Sequence, residues 1–170
     1  MQDKEHNPAV HTPMWALNSL AKARVGHLGC STKDGKPLVI PICFAFDGSM
    51  IYSSIDEKTK RSSPLSLRRV SNIMENPNIC LVVDEYAEDW RKLRYVLVIG
   101  TAAVAQQGKR FRESIALLRK KYKQYNIMKL ETRPLIIIKP IRIIAWKPLR
   151  TSRTLKPKEY DRSNQPVRNP

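Results

Sequence analysis

Turn residues divide this sequence into apolar runs that have the length of β-strands. Residues 25–31 and 38–46 are β-branched or alternating runs, and the segment between them contains an Asp-Gly pair, which is typical of a tight hairpin. A second Asp-Gly pair follows and leads into residues 50–54. The pattern predicts an antiparallel meander of three strands.

Three further apolar runs bring the predicted strands to six. Residues 79–84 and 95–105 flank a polar and aromatic segment, so they are expected to pair as a long hairpin. Residues 135–146 form the last run, and Pro140 interrupts it, which is tolerated at a sheet edge or at a bulge. The chain is therefore expected to be mainly β, with antiparallel strands.

Three segments have the periodicity of helices. Residues 14–23 predict a short helix before the first strand, and Ser63 followed by Pro64 is typical of the start of a second helix. The second and third helices are each expected to bury one apolar face, formed by Leu67, Val70 and Met74 in one and by Phe111, Ile115, Leu118 and Tyr122 in the other.

An antiparallel barrel of six strands with helices at its edges is the most economical arrangement of these elements. Residues 96–99 and 135–138 are apolar on both strand faces, so one outer face of the barrel is expected to be covered by a second subunit of a homodimer. We expect a barrel domain over residues 1–148 and a basic tail, rich in Pro, Lys and Arg, over residues 149–170.

The net charge of +16 is concentrated in the last third of the chain. Residues 1–104 carry 13 Lys and Arg against 11 Asp and Glu, whereas residues 105–170 carry 18 against 4. Such a basic region is typical of nucleic-acid binding, and its tail is expected to contact polyanions non-specifically. A clustered aromatic platform for bases is missing there, because its aromatic residues are scattered.

Cysteine and histidine patterns exclude other classes of protein. Cys30, Cys43 and Cys80 are odd in number and lie in apolar runs, so buried thiols are expected rather than a disulfide framework. The histidines lack the spacing of metal ligands, and His27 has no carboxylate at a fixed spacing that would tune it as an acid or base.

Residues 1–13 have no apolar stretch that could serve as a secretory signal, so we expect a cytoplasmic protein without a membrane span.

Residues 51–61 combine hydroxyl groups and cations at the predicted end of a strand. Ser53 and Ser54 are followed by Lys58 and Lys60, and hydroxyl and ammonium donors together suit the oxygens and the charge of a phosphate. A solvated basic loop before a helix is the alternative interpretation, because exposed Lys and Arg are common.

The order of several short motifs adds a resemblance to a known family. The motifs are RVGHLG at 24–29, GKPLVIPICFA at 35–45, YSSIDEKTK at 52–60, RRVSN at 68–72, NP at 76–77, VVD at 82–84, EDW at 88–90 and GTA at 100–102. Together they resemble the pyridoxamine 5'-phosphate oxidase-related split-barrel family, and within it the subgroup of deazaflavin (coenzyme F420)-dependent oxidoreductases. The positions of KKY at 120–122, QY at 124–125 and Trp146 also fit that subgroup.

The resemblance implies a split β-barrel of the FMN-binding type, with FMN or coenzyme F420 bound at a dimer boundary. It places the cofactor ring near Ile40, Pro41, Ile42 and Cys43, and the phosphate near Ser53, Ser54, Lys58 and Lys60. Since the ring would carry the hydride chemistry, no catalytic residue is predicted. The lysine-rich end differs from the Trp- and Arg-bearing end of pyridoxamine-phosphate oxidases proper, so vitamin B6 oxidation is not predicted.

Trp90 ends an acidic and aromatic segment between two predicted strands. It is a candidate for stacking on the cofactor across the dimer interface, the alternative being a half-buried tryptophan at a hairpin tip.

The leading functional prediction is a flavin- or deazaflavin-dependent oxidoreductase that moves a hydride to or from a small molecule. Nucleic-acid binding through residues 105–170 is the alternative, and a haem-handling barrel would need a ligand histidine that is not evident.

Overall fold

The computed structural model describes residues 12–56 and 63–149, and these residues form three α-helices and seven β-strands. The elements, in chain order, are α1 (Met14–Lys22), β1 (Gly26–Ser31), β2 (Pro37–Ile42), β3 (Ala45–Phe46), β4 (Ile51–Ser54), α2 (Arg68–Glu75), β5 (Asn78–Glu85), β6 (Arg94–Ala105), α3 (Lys109–Lys121) and β7 (Leu135–Trp146). Short 3-10 turns lie at Pro64–Ser66, Trp90–Lys92, Lys123–Ile127 and Leu130–Thr132. No helix in these two ranges is both long and apolar enough to cross a membrane.

One antiparallel sheet contains all seven strands, in the order β2-β1-β5-β6-β7-β4-β3. The two end strands, β2 and β3, are nevertheless consecutive in the chain, and only Cys43 and Phe44 lie between them. Because the two edges of the sheet are joined by two residues, the sheet must curl until its edges meet. The prediction of an antiparallel barrel with flanking helices is therefore confirmed, and we call the junction at Cys43 and Phe44 the seam.

The strand count differs from the expected six because residues 38–46 are two strands rather than one. Residues 37–42 pair with β1 and residues 45–46 pair with β4, and the two residues between them pair with neither strand. At the seam, the Phe44 backbone leaves the sheet and bonds to a side chain instead: Phe44 N donates to Tyr122 Oη at 3.0 Å. The side-chain partner replaces the missing ladder partner, as a buried backbone group requires.

Pro140 lies inside β7, a central strand, and a bulge accommodates it there. Ile99 of β6 pairs with Arg142, but the next residue, Gly100, pairs with Pro140, so Ile141 is the extra residue. A side chain at Gly100 would bring its Cβ within 2.3 Å of the Lys139 carbonyl oxygen. Glycine on the partner strand thus allows the proline and its bulge to fit into the middle of the sheet.

Two apolar clusters stabilise the barrel. The larger fills its interior, where Leu28, Leu81 and Val98 meet Leu20 of α1 and Ile73 of α2. Met74, expected on the buried face of α2, is 67% exposed, because Val70 and Ile73 supply the face that packs on the sheet. The smaller cluster lies outside the barrel, where α3 covers the outer side of β3, β4 and β7 with Phe111, Ile115 and Leu118, as its periodicity predicts.

The rest of the sheet's outer side is left open by the described residues. The strand registers align Pro41, His27, Val82, Leu97 and Ile144 in one row across five strands, and Val39, Gly29, Cys80, Ile99 and Arg142 in the next. Val39 is 67% exposed and Ile99 is 39% exposed. We call this surface, represented by Val39, Pro41, Val82, Leu97 and Ile99, the bare face.

Candidate functional site at the barrel seam

Tyr122, directly after α3, holds the seam closed. Its hydroxyl oxygen accepts a hydrogen bond from Phe44 N. Two carbonyl oxygens can accept its proton, that of Phe44 at 2.8 Å and that of Arg24 at 2.7 Å. Burial raises the pKa of Tyr122 to about 12, so the phenol keeps that proton at neutral pH. One side chain therefore joins the β2–β3 junction, the start of β1 and the end of α3.

The two serines at the end of β4 have different surroundings. The Ser53 hydroxyl donates to the Cys43 carbonyl oxygen at 2.8 Å, which ties the end of β4 to the end of β2. The Ser54 hydroxyl is buried and has no hydrogen-bond partner among residues 12–56 and 63–149. Buried polar groups are nearly always paired, because leaving one unpaired costs about 1 to 3 kcal/mol. Ser54 is thus a free hydrogen-bonding group at the position where the sequence predicts a phosphate.

Near Cys43 lies a set of polar residues that the sequence interpretation did not assign to the site. Tyr125, in the turn after α3, is buried, and its burial raises the pKa of the phenol, with Cys43 and Asp56 adding to the effect. Burial also lowers the pKa of Arg69 on α2, while the nearby carboxylate of Asp56 opposes that shift. These residues come from four separate parts of the chain, and no spacing rule could have linked them.

Two cations lie against aromatic rings at the seam. The Arg24 guanidinium stands 4.7 Å from the centre of the Tyr122 ring, and the Lys121 ammonium stands 4.5 Å from the centre of the Phe44 ring. The Lys121 nitrogen is buried and makes no hydrogen bond to any residue that the structure describes. Its burial, reinforced by the charge of Arg24, lowers the pKa of Lys121 to about 8. Lys121 is therefore held in place by aromatic contacts rather than by a counter-ion.

The side chains expected along the cofactor ring do not share one surface. Alternation along β2 turns Ile40 and Ile42 towards the barrel interior, whereas Pro41 is exposed beside Val39 on the bare face. Cys43 is half-buried at the seam and packs towards the α3 cluster. A flat ligand on the outer side of β2 would meet side chains of only one of these four residues, Pro41, together with the strand's backbone.

The remaining candidates lie elsewhere or outside the described ranges. Trp90 is 70% exposed in the turn between β5 and β6, rather than half-buried, and its contact with a cofactor stays a prediction. Lys58 and Lys60 lie outside the described residues. His27 does have a carboxylate neighbour, since Asp84 on the adjacent strand β5 places Oδ1 at 3.9 Å from its Nδ1. Residues 12–56 and 63–149 contain no group of three or more side chains that could hold a metal ion.

An antiparallel barrel closed at a two-residue seam, with helices packed on its outside, is a split barrel. The family model described as pyridoxamine 5'-phosphate oxidase matches residues 16–147, and the chain belongs to this family. No curated protein sequence matches the chain.

Solved structures with the same fold bear different cofactor names. One named F420 reductase is 19% identical, with 78% of this chain and 98% of that chain covered and a TM-score of 0.58. An FAD-binding protein from Mesorhizobium loti is also 19% identical, over 79% and 93% of the two chains, with a TM-score of 0.60. The haem storage protein from Vibrio cholerae is 14% identical, over 71% and 84%, with a TM-score of 0.57. Likeness at these identities shows the fold alone.

Proposed function

We propose that this protein is a flavin- or deazaflavin-dependent oxidoreductase that binds FMN or coenzyme F420 and moves a hydride to or from a small molecule. The observation that carries the proposal is the buried hydroxyl of Ser54 at the end of β4, which has no partner in the described part of the chain. Family membership and the likeness to an F420 reductase and an FAD-binding protein support a cofactor of this class.

The residues present fit both ends of such a cofactor. Ser54 would donate a hydrogen bond to the phosphate, and Lys58 and Lys60, a few residues further along the chain, would neutralise its charge. Val39 and Pro41 offer an exposed apolar surface on β2. The hydrogen bond from Ser53 to Cys43, the residue that follows β2, holds the end of β4 next to the end of β2. A flat apolar ring and a charged phosphate therefore both find suitable groups.

The ring, when bound, supplies the hydride chemistry, and this chain's residues bind it and shield it. Val39 and Pro41 would exclude water from the part of the ring that lies against β2. Tyr122 and Ser53 keep the strands around the seam in position through their hydrogen bonds to backbone oxygens. None of these roles requires a catalytic acid or base from the protein.

We also propose that the bare face is the dimer interface. Val39 and Ile99 expose apolar surface in one row across the sheet, with Gly29 and Cys80 between them, and exposed apolar area of this kind is a frequent mark of an interaction site. A two-fold dimer through this face would cover β2 and bring the partner's residues close to the same strand. The site would then be shared between two subunits.

The proposal is tested by titrating FMN and coenzyme F420 into wild-type protein and three variants. Ser54→Ala should bind the preferred cofactor about tenfold more weakly, because a charge-assisted hydrogen bond contributes about 1.5 to 3 kcal/mol. Ser53→Ala is the matched control, because its hydroxyl is already used by the Cys43 carbonyl oxygen. A Lys58→Ala, Lys60→Ala double variant should lose at least tenfold in affinity while it stays folded.

The outcomes distinguish the phosphate assignment from the function itself. If Ser54→Ala and the double variant bind as tightly as wild type, the phosphate lies elsewhere. If wild-type protein binds neither FMN nor coenzyme F420, the oxidoreductase proposal is wrong. Tight uptake of haem in place of both would assign the protein to the haem-handling members of the fold.

A further inference from the structure

A stripe of exposed cations runs along the solvent side of α3 and into the turn that follows it. It consists of Lys109, Arg112, Lys120 and Lys123, and we call it the cationic stripe. The helical residues among them fall on one side of α3, opposite Phe111, Ile115 and Leu118, which face the barrel. Lys109 and Lys120 are roughly 16 Å apart along the helix axis, at 1.5 Å per residue.

The stripe is not neutralised by the rest of the described structure. None of its four cations forms an ion pair with a residue in the ranges 12–56 and 63–149. Glu113 is exposed on the same side of α3, so one carboxylate stands beside four cations. The stripe therefore keeps a net positive charge in the folded protein.

Other cations of the same helix are used within the protein. Arg119 donates to the carbonyl oxygens of Tyr125 and Met128 at 3.2 and 3.0 Å and pairs with Glu131. Arg110 interacts electrostatically with Asp47. By contrast, the side chains of the four cations of the stripe form no hydrogen bond and no ion pair with residues 12–56 or 63–149.

We propose that the cationic stripe docks on the phosphate backbone of a nucleic-acid duplex. A row of positive charges along a rigid helix matches a row of phosphates, and releasing counter-ions from the duplex drives such binding. Residues 105–170, which include the stripe, carry 18 Lys and Arg against 4 Asp and Glu, so the surrounding sequence strengthens the attraction. Contacts to phosphates alone carry no sequence information, and the binding is non-specific.

Two other acidic partners fit the stripe less well. Stable binding to a membrane surface uses apolar side chains that enter the lipid, and the residue between Arg112 and Lys120 on this side is only Ala116. Protein interfaces are depleted in lysine and need an apolar centre, which the stripe lacks. The proposal does not depend on the cofactor, because α3 presents the stripe away from the barrel.

The test measures binding of the full chain to a short labelled DNA duplex and to an RNA duplex of the same sequence, by fluorescence anisotropy over a range of salt concentrations. The stripe variant replaces Lys109, Arg112, Lys120 and Lys123 by Gln. The control variant replaces four exposed cations outside the stripe, Lys22, Lys33, Arg91 and Lys92, by Gln, so that both lose the same charge. Both keep the basic tail, and melting curves followed by circular dichroism show whether each is folded.

The stripe variant is expected to bind at least tenfold more weakly than the control at about 100 mM salt. Its plot of log affinity against log salt should also be flatter, by about 0.9 for every phosphate contact that is lost. The duplex that is bound more tightly by wild type identifies the source of the phosphates.

Three results would overturn the proposal. Equal losses in the stripe and control variants would mean that only the net charge matters. Wild-type binding to vesicles with anionic lipids but to neither duplex would make the partner a membrane. Binding of the stripe variant at wild-type strength would place the contact outside α3.

Discussion

The outer side of the sheet has two halves that are covered differently. Over β3, β4 and β7, the helix α3 buries Ala45, Tyr52 and Leu135 beneath its own apolar face. Over β2, β1, β5 and β6, residues such as Val39 and Ile99 stay exposed. The fold therefore completes its own core on one half only. The covered half should determine the stability of the chain, and the bare half should determine its assembly.

The largest expected effect lies on the covered half. Leu118 is fully buried between α3 and the sheet, so Leu118→Ala should lower the free energy of unfolding by about 2 to 5 kcal/mol. Val39→Ala on the bare face removes methyl groups that are largely exposed, so it should change the free energy of unfolding by less than about 0.5 kcal/mol. Urea titration at a protein concentration where both variants are monomeric makes the comparison. Equal losses would show that the two halves do not differ in this way.

A smaller effect on the free energy of unfolding is expected at the end of α3. Lys121 is half-buried with a pKa of about 8, against an ordinary value of 10.5 in the unfolded chain. Below pH 8 both states hold the proton, and the folded state bears the cost of burying it. Between pH 8 and 10.5 the folded chain releases the proton while the unfolded chain keeps it, so stability rises with pH.

Lys121→Met removes this cost, and it should stabilise the protein at pH 7 by about 1 to 2 kcal/mol, a range reduced for the partial exposure of the side chain. The gain should shrink as the pH rises from 8 to 10.5. Thermal unfolding measured across that interval, with Lys120→Met as an exposed control, tests the prediction. A gain that does not vary with pH would contradict the lowered pKa.

The smallest effect on stability, and the largest on assembly, is expected on the bare face. Ile99→Lys should change the stability of the monomer by less than about 0.5 kcal/mol, because the site is partly exposed. In light scattering, wild type should have twice the chain mass of 19.6 kDa and the variant the mass of one chain. Met74→Lys, at an exposed apolar residue of α2, should remain dimeric. If both variants dissociate, or if neither does, the bare face is not the dimer interface.

The sequence predicted most of the fold because strands and helices leave local periodicities. The long hairpin of β5 and β6 and the buried face of α3 were both visible in this way. The division of residues 38–46 was not, because it depends on Tyr122 and on the meeting of two sheet edges that are consecutive in the chain but at opposite ends of the strand order across the sheet. Local patterns also could not choose between Ile73 and Met74 for the inner face of α2.

The candidate site was predicted less completely for the same reason. Ser53 and Ser54 were found because they sit together on one strand, but their different hydrogen bonding depends on the position of Cys43. Asp56, Arg69 and Tyr125 approach one another only in the folded chain. The neighbour of His27 was missed likewise, since Asp84 belongs to another strand.

The place of β7 in the sheet has a consequence for the order in which the chain folds. This last strand lies between β6 and β4, so it alone connects β3 and β4 to the rest of the ladder. During synthesis, β1, β2, β5 and β6 can pair as soon as they emerge, whereas β3 and β4 must wait for residues 135–146. The barrel therefore closes late, through contacts between distant parts of the chain, and such contacts slow folding. Until then, the edge of β4 that pairs with β7 is open to pairing with other chains.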